Sequence, residues 1–326
     1  MAALTDIDLE TTRAGFLAGA AALLAVPAVA AESTVIIPTA FDGGRFFAIP
    51  RVASDGAVMR LWLDTDGGGF VFAEAVERWK LPVLPGPGGR KGHWTRLPAF
   101  DPSVSVPPPR GRDGLLPIFT RDEADRRDAI LAGFDGQLGA SWFQERVWMF
   151  DYVRRRVLLR SALAGTDGVK IPVRFRTDAA GARRDGAQSP RLDIAIGGGA
   201  LAASLDIAAT VALTETARTL VESGPRAVRA TSFVRRKTFA AWQRAHPQWH
   251  VLRDVSPNAG IDAIRVPAVQ LGPIDLGTAW FTTRPGDDVF EGDDDIDAKL
   301  GAPAFYGRTV SLDYPAGVLA LRSGVS

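Results

Sequence analysis

The stretch Leu138-Gly-Ala-Ser-Trp-Phe-Gln-Glu-Arg-Val-Trp-Met-Phe-Asp-Tyr152 matches Leu300-Gly-Ala-Pro-Ala-Phe-Tyr-Gly-Arg-Thr-Val-Ser-Leu-Asp-Tyr314 without a gap, and seven of the fifteen positions are identical. In both copies a turn and then an apolar run follow, which is typical of a β-hairpin. Asp151 and Asp313 fall just before that turn, so we interpret them as turn residues. Self-similarity of this kind predicts a duplicated unit, and therefore a chain with two related halves.

A second matched pair lies upstream of each copy, where a predicted strand ends in an aspartate. Leu61-Trp-Leu-Asp64-Thr65 leads into Phe72-Ala-Glu74, and Ser204-Leu-Asp206-Ile207 leads into Leu213-Thr-Glu215. The spacing in the first copy is longer by one residue, which we place within Asp66-Gly-Gly-Gly69. The order of segments is then the same in both halves.

The rest of the sequence predicts a mainly β protein. Short β-branched or aromatic runs are separated by turn residues, with 34 glycines and 22 prolines among 326 residues. Long stretches with a helical period are few. The expected helices cover residues 73–79, 213–222 and 237–245.

This repeated order of strand, Asp turn and apolar strand containing Leu-Gly resembles the pepsin and retropepsin superfamily of aspartyl proteases, in particular its bacterial, two-lobed, exported members. The resemblance covers essentially the whole mature chain. It implies an all-β fold of two pseudo-symmetric, acid-protease-like β-barrel lobes with an interlobe cleft. We expect an N-terminal lobe at residues 32–165 and a C-terminal lobe at 166–326, with the boundary near residues 164–168.

The resemblance also implies a catalytic pair, Asp64 and Asp206, facing each other across the cleft. Two carboxylates close together do not both ionise cheaply, so such a pair shares one proton and activates a water. A hydroxyl in the residue after the aspartate, as in Thr65, can form a hydrogen bond across the pair. Backbone N–H groups that approach each carboxylate favour glycine in the turn.

The sequence departs from the family pattern in both turns. In the first, Asp66 stands where glycine is expected; either it is the extra residue and Gly67 takes the glycine role, followed by Gly68, or a third carboxylate crowds the pair. In the second turn Ile207 has no hydroxyl and Ala208 replaces glycine. The resemblance therefore implies a first turn that is altered and a second turn that has lost two family features.

A turn-rich segment at residues 86–95 follows Asp64 in the place where family members carry a flap, a β-hairpin that closes over bound peptide. Trp94 is the candidate for its aromatic tip, and packing of this ring is the alternative. The strands containing Leu138-Gly139 and Leu300-Gly301 are expected to run behind the Asp turns and to hold them.

No metal and no other cofactor is expected. The aspartates Asp293, Asp295 and Asp297 have the alternating spacing of a calcium loop, but without its glycine and terminal glutamate a solvated loop is favoured. His246 and His250 are four residues apart with Pro247 between them and no accompanying glutamate, which argues against zinc. The chain has no cysteine, so thiol catalysis is excluded.

The N-terminus predicts an export signal at residues 1–31. Arg13 precedes an apolar run at residues 15–26, and small residues follow at 28–31. The sequence around Arg13 resembles a twin-arginine signal in which Ala14 replaces the second arginine, so the route, Sec or Tat, stays open. We expect a periplasmic or secreted protein without stable membrane insertion after signal removal. A formal net charge of +1 does not favour a nucleic-acid partner.

The function predicted from the sequence is that of an aspartyl-type endopeptidase acting on extended peptides or proteins. The alternative is a catalytically inactive relative that binds peptides in the interlobe groove by strand addition, which Ile207 and Ala208 favour. A third hypothesis is an envelope interaction module that uses its aromatic surface, since the chain contains eight tryptophans.

Overall fold

The computed structural model describes residues 33–103, 106–110, 112–183, 189–221 and 226–324. The predicted export signal lies outside these ranges. From Thr34 onward the chain forms one compact unit. Strands predominate over helices, as the sequence predicts. In the described ranges no helix is long and apolar enough to cross a membrane.

The first half runs from Thr34 to Arg160. Its helices are α1 (Ala73–Arg78), α2 (Glu123–Arg127) and α3 (Ala140–Phe143). Its strands are β1 (Thr34–Ile37), β2 (Thr39–Asp42), β3 (Arg45–Ala48), β4 (Leu61–Leu63), β5 (Phe70–Phe72), β6 (Leu84–Pro85), β7 (His93–Thr95), β8 (Leu116–Phe119), β9 (Gly136–Leu138), β10 (Val147–Asp151) and β11 (Arg156–Arg160).

The second half runs from Val169 to Ser323. Its helices are α4 (Glu215–Leu220) and α5 (Arg236–Ala245). Its strands are β12 (Val169–Pro172), β13 (Arg191–Ile196), β14 (Gly199–Asp206), β15 (Thr210–Ala212), β16 (Val228–Ala230), β17 (Ser232–Val234), β18 (Val251–Leu252), β19 (Ala263–Leu271), β20 (Ile274–Thr282), β21 (Ala298–Gly301), β22 (Arg308–Asp313) and β23 (Val318–Ser323).

A six-stranded sheet joins the two halves, in the order β1-β11-β10-β22-β23-β12. The two matched stretches of sequence supply its central pair, because β10 and β22 are antiparallel with Val147 opposite Asp313 and Asp151 opposite Thr309. Each continues into its own hairpin, β10–β11 and β22–β23, which confirms the two predicted hairpins. The order of the six strands is therefore symmetric about the β10–β22 pair.

Each half also has a sheet of its own with the same central arrangement. In the first half β9 is parallel to β4, with Leu63 opposite Leu138, and antiparallel to β5. In the second half β21 is parallel to β14, with Asp206 opposite Gly301, and antiparallel to β17. The second sheet closes into a six-stranded barrel because β13 also pairs with β19, whereas the first is an eight-stranded sheet. The predicted all-β, two-lobed fold class is confirmed.

The structure corrects the upstream alignment of the two halves. In the first half β5 follows the Asp64 turn directly and pairs with β9, but the corresponding partner of β21 is β17, which begins at Ser232. Residues 207–231 therefore contain an insertion, formed by the β15–β16 hairpin and α4. Matching residues 213–215 with 72–74, and placing one extra residue in the first turn, was wrong. An apolar residue followed by a glutamate fits the start of many helices, so the pattern did not identify the right one.

The three predicted helices are confirmed as α1, α4 and α5, each within three residues of its expected ends. α4 begins after Thr214, whose side chain accepts a hydrogen bond from the N–H of Ala217 at 3.2 Å, as an N-cap does. α5 packs through Phe239 and Trp242 on its buried face. The helices α2 and α3 were not predicted, because neither is long enough to show a hydrophobic period.

Candidate functional site

Asp64 follows the last residue of β4 and is held by donors from three positions. Its Oδ1 accepts hydrogen bonds from the backbone N–H groups of Asp66 and Gly67, both at 2.8 Å. Its Oδ2 accepts a hydrogen bond from Nε2 of Gln137, on the neighbouring strand β9, at 2.8 Å. Because all these donors point at the carboxyl oxygens, its orientation is fixed before any substrate binds.

Asp206 is the last residue of β14 and occupies the corresponding place in the second half. Its Oδ1 accepts a hydrogen bond from the backbone N–H of Ala208 at 3.0 Å. In each turn the N–H two residues after the aspartate thus binds its Oδ1, so Asp66 and Ala208 are equivalent positions. Asp66 is therefore a true replacement of the expected glycine and not an extra residue. Gly67 supplies a further donor to Asp64.

Thr65 ties the two turns together across the halves. Its hydroxyl donates to the carbonyl oxygen of Leu205, the residue before Asp206, at 2.7 Å. The same hydroxyl accepts a hydrogen bond from the N–H of Ile207 at 3.2 Å. Thr65 therefore forms the expected hydrogen bond from one Asp turn to the other. Ile207 has an apolar side chain and makes no return bond.

Asp66 pairs with Lys299 of the second half. Lys299 lies on β21, and its Nζ contacts Oδ2 of Asp66 and lies 3.3 Å from Asp293. Asp293 also lies 2.7 Å from Arg176 and is paired with Arg191. The acidic run at residues 291–297 was predicted to be a solvated loop, and for Asp293 this is wrong: its side chain is 14% exposed and belongs to this network.

Burial and nearby negative charges raise the pKa of both candidate catalytic carboxyls. The pKa of Asp64 rises to about 6, because of burial and of the nearby charge of Asp66. The pKa of Asp206 rises well above its ordinary value, because of burial and then the charges of Asp64 and Asp66. Lys299 opposes both shifts. The two groups therefore sense each other, and between their titrations the pair holds one proton.

Tyr314 closes the site from the central sheet. Its side chain is fully buried, and its hydroxyl has no hydrogen-bond partner among the described residues. Burial raises the pKa of Tyr314 well above its ordinary value, and the charges of Asp64 and Asp66 raise it further. The phenol is therefore a neutral neighbour of the carboxyl groups.

The strands predicted to support the two turns do so. Asp64 N–H donates to the carbonyl of Leu138 at 3.0 Å, and a Cβ on Gly139 would overlap the backbone of residues 67–69. In the second half Gly301 lies opposite Asp206, and its N–H donates to Ser232 Oγ at 3.0 Å. Gly139 is required because the backbone of the first turn packs directly onto it, and Gly301 because a Cβ there would overlap the carbonyl of Thr231.

The predicted flap segment forms the β6–β7 hairpin, but Trp94 is not its exposed tip. Leu84 is opposite Trp94 in this pair, and the Trp94 side chain is 5% exposed. Its Nε1 donates to the carbonyl of Lys91 at 3.3 Å. β7 also pairs with β8. The ring of Trp94 is buried, whereas the preceding residue, His93, is exposed.

The other polar candidates make local contacts. Asp151 accepts the N–H of Arg154 at 3.0 Å and Asp313 that of Ala316 at 2.8 Å, so both are turn residues as predicted. The ring of His246 stacks on Trp249 with centroids 4.1 Å apart. Within the described ranges no three His, Asp or Glu side chains are grouped as metal ligands.

Two residues of the site, Gln137 and Lys299, were not predicted from the sequence. Both precede the matched Leu-Gly pairs, as Gln137-Leu-Gly and Lys299-Leu-Gly. Extending the matched stretches by one residue upstream would have included them. A lone polar residue in an apolar strand that leads to a candidate site is the signal that indicates them.

No protein-family model matches the sequence, and no curated protein is significantly similar to it. Solved structures are similar in fold. An aspartic proteinase from Irpex lacteus has a TM-score of 0.51 at 11% identity, over 90% of this chain and 98% of that one. Basic 7S globulin from soybean has a TM-score of 0.46 at 10% identity, and conglutin gamma from lupine 0.47 at 11%, each over 90% of this chain and 95% of the other. The likeness to the aspartic proteinase, at this identity, shows that the chain has a pepsin-like, mostly β fold.

Proposed function

We propose that the protein is an aspartyl-type endopeptidase in which Asp64 and Asp206 act on an extended peptide. The observation that carries the proposal is the tie between the two Asp turns. Thr65 holds the end of β14 against the Asp64 turn, while backbone N–H groups fix a carboxyl oxygen in each turn. Such preorganisation is what acid–base catalysis by a carboxyl pair requires.

The proton distribution assigns the roles. Among the described residues, the carboxyl of Asp64 accepts three hydrogen bonds and that of Asp206 accepts one, and donors favour the ionised form. We therefore assign Asp64 as the ionised base and Asp206 as the acid that holds the shared proton. Asp64 removes a proton from water as the water oxygen attacks the peptide carbonyl carbon, and Asp206 donates its proton toward the carbonyl oxygen. The tetrahedral intermediate collapses as Asp64 passes the proton taken from water to the nitrogen, the C–N bond breaks and Asp206 recovers a proton from a hydroxyl of the intermediate, which gives a carboxylic acid and an amine.

The proposed base also determines a pH dependence. Below about pH 6 Asp64 is protonated and the base is lost, since burial raises its pKa to about 6. We therefore expect kcat/KM to rise between about pH 5 and pH 7, unlike that of an enzyme adapted to strong acid. Cleavage of a mixed library of extended peptides, followed by mass spectrometry from pH 3 to pH 8, measures this profile.

The direct test replaces each carboxyl by an amide. Asp64→Asn and Asp206→Asn should each lower kcat/KM at least about 100-fold, because acid–base catalysis contributes 10²- to 10⁴-fold. Asp313→Asn is the matched control, as Asp313 is a repeated aspartate whose turn bond an asparagine also accepts. Equal activity of the two site variants and wild type would rule out the dyad.

A second candidate function, peptide binding without cleavage, is favoured by the insertion. Ala208, Ala212 and Val228 of the insertion pack against Phe47 and Trp62 of the first half. Trp62 lies on β4, two positions before Asp64. The insertion therefore covers apolar surface beside the carboxyl pair. Peptide binding by wild type, with neither cleavage nor any difference between wild type and the Asn variants, would select this function.

A further inference from the structure

Lys299 connects the two halves at the candidate site. It lies on β21, opposite Ser204 of β14, and pairs with Asp66 in the turn of the other half. The side chains of Lys299 and Asp66 are 8% and 2% exposed. A buried charge without its partner is strongly unfavourable, so each of the two constrains the position of the other.

The symmetry of the halves shows what is unusual about this contact. Gln137 is opposite Phe70, and Lys299 is opposite Phe233, so Gln137 and Lys299 are equivalent. Gln137 binds Asp64 of its own half. Lys299 instead reaches across to the other half, where it meets Asp66.

The second turn lacks the means for a return connection. Thr65 gives one tie from the first turn to the second, and the side chain of Ile207 gives none back. The pair of Lys299 and Asp66 joins the same two regions, the first turn and the strand behind the second turn. The two departures from the expected pattern, Asp66 and Ile207, are therefore complementary.

The charges around the pair are also matched. Lys299 faces Asp66 and is close enough to Asp206 and Asp293 to interact with their charges. Although burial lowers the pKa of Lys299, the charges of Asp66 and Asp206 hold it above its ordinary value. Tyr314, the residue after β22, is close enough to Asp64 and Asp66 for their charges to raise its pKa. Lys299 is the cation that opposes proton uptake by both carboxyls of the dyad.

We propose that Lys299 is a positioning residue of the dyad, which through Asp66 holds the first Asp turn against the second half and takes the place of the missing hydroxyl at residue 207. The proposal rests on the proposed function for its kinetic consequence. Its structural content, an ion pair that sets the ionisation of Asp64, is measurable without catalysis.

The first test is Lys299→Met. Its kcat/KM should fall about tenfold at pH 7, and the rising part of the pH profile should move to higher pH by about one unit or more, as expected when a close opposite charge is removed. Lys299→Arg keeps the charge and should leave the profile near that of wild type. Lys237→Met is the matched control, since Lys237 pairs with Asp297 at 2.9 Å on the surface. A profile of Lys299→Met that coincides with that of Lys237→Met would overturn the proposal.

The second test removes the whole pair, so that no single charge is left buried. Asp66→Gly with Lys299→Met should restore the pH profile toward wild type but keep a reduced kcat, because the tie is absent. Adding Ile207→Thr to that double variant supplies the return hydroxyl and should raise kcat severalfold. If the double and triple variants have the same kcat, Lys299 does not position the dyad.

A third measurement separates this proposal from the proposed function. The carboxyl of Asp64 is followed by ¹³C NMR of aspartate-labelled protein, with Asp64→Asn to assign its signal. Lys299→Met should move the Asp64 titration to higher pH even if neither protein cleaves any peptide. An unchanged titration would overturn the role of Lys299, whereas a shifted titration without cleavage in wild type would contradict only the peptidase.

Discussion

Two adjacent glycines in the first turn have different surroundings. A Cβ at Gly67 would overlap Oδ2 of Asp64 and lie 2.9 Å from Nε2 of Gln137, whereas a Cβ at Gly68 would have no heavy atom within 4 Å. We expect Gly67→Ala to destabilise the fold by roughly 1–3 kcal/mol and to lower kcat/KM about 100-fold, because the carboxyl must move. Gly68→Ala should leave the stability of the fold nearly unchanged and kcat/KM within about twofold of wild type. Equal unfolding midpoints and equal kinetics for the two variants would contradict the steric role of Gly67.

The residues that the sequence revealed are those whose role depends on local order. Asp64, Thr65 and Asp206 could be proposed as site residues from the sequence alone. A predicted strand end, a turn and a repeat identify them without knowledge of the tertiary structure. Lys299 could not be linked to Asp66, since they are 233 positions apart and meet only when the halves pack. The environment of Trp94 was also missed, because a turn-rich segment does not indicate which face of its short strand is buried.

At the scale of elements, the hydroxyl of Thr65 links the end of β4 to the end of β14. Thr65→Val removes the bond to the carbonyl of Leu205 and leaves the N–H of Ile207 without its acceptor. We expect a loss of about 1–3 kcal/mol in the free energy of unfolding and a larger loss of kcat than of substrate affinity. Thr210→Val is the control, because the hydroxyl of Thr210 donates to the carbonyl of Ala208, within its own turn, at 2.6 Å. A Thr65 variant with wild-type kcat would show that the tie does not position the dyad.

The insertion explains why elements were predicted better than their pairing. The hairpins β10–β11 and β22–β23 and the helices α1, α4 and α5 depend on neighbours in sequence, and the pattern indicated all of them. The partner of β21 depends on contacts between distant residues, so α4 was taken as the counterpart of α1 although β17 and α5 occupy that place. The insertion is also fixed to both halves, since Ala230 N–H donates to the carbonyl of Gly43 at 2.7 Å.

For the molecule as a whole, the central sheet relates the two halves and so determines where the Asp turns meet. Four buried aromatic rings pack together beneath the site. They are Trp142 and Phe143 of α3, Trp148 of β10, and Tyr314, which follows β22. Phe143 and Tyr314 stack with centroids 6.3 Å apart, one from each matched stretch. The duplicated sequence therefore supplies both the sheet that joins the halves and the packing beneath the turns. This is why the repeat predicted two related halves, whereas the pepsin-like fold class also needed the resemblance carried by the two Asp turns.

The free energy of unfolding of the whole molecule should depend on pH because of the buried carboxyl of Asp64. The pKa of Asp64 is raised from 3.8 to about 6 on folding, so the folded state binds the proton more tightly than the unfolded state. Stability from this group is fully present below about pH 4 and is lost as the pH rises through about 6. Asp64→Asn should therefore gain on wild type by about 3 kcal/mol between pH 4 and pH 7, measured by urea unfolding at each pH.

The pKa of Asp151 is shifted in the opposite direction to that of Asp64. Although burial alone raises its pKa, the N–H of Arg154 and the charges of Arg154 and Arg156 hold the pKa of Asp151 below its ordinary value. Stability from Asp151 is therefore present above about pH 4, the ordinary value of a free carboxyl, and is lost as the pH falls through its lower folded pKa. Asp151→Asn should lose on wild type as the pH is raised toward about 4, and the difference should then stay nearly constant between about pH 4 and pH 7. If the stability of Asp64→Asn relative to wild type, like that of Asp151→Asn, stayed constant between pH 4 and pH 7, Asp64 would not be held as a protonated carboxyl at low pH, and its assignment as a base that ionises near pH 6 would have to be abandoned.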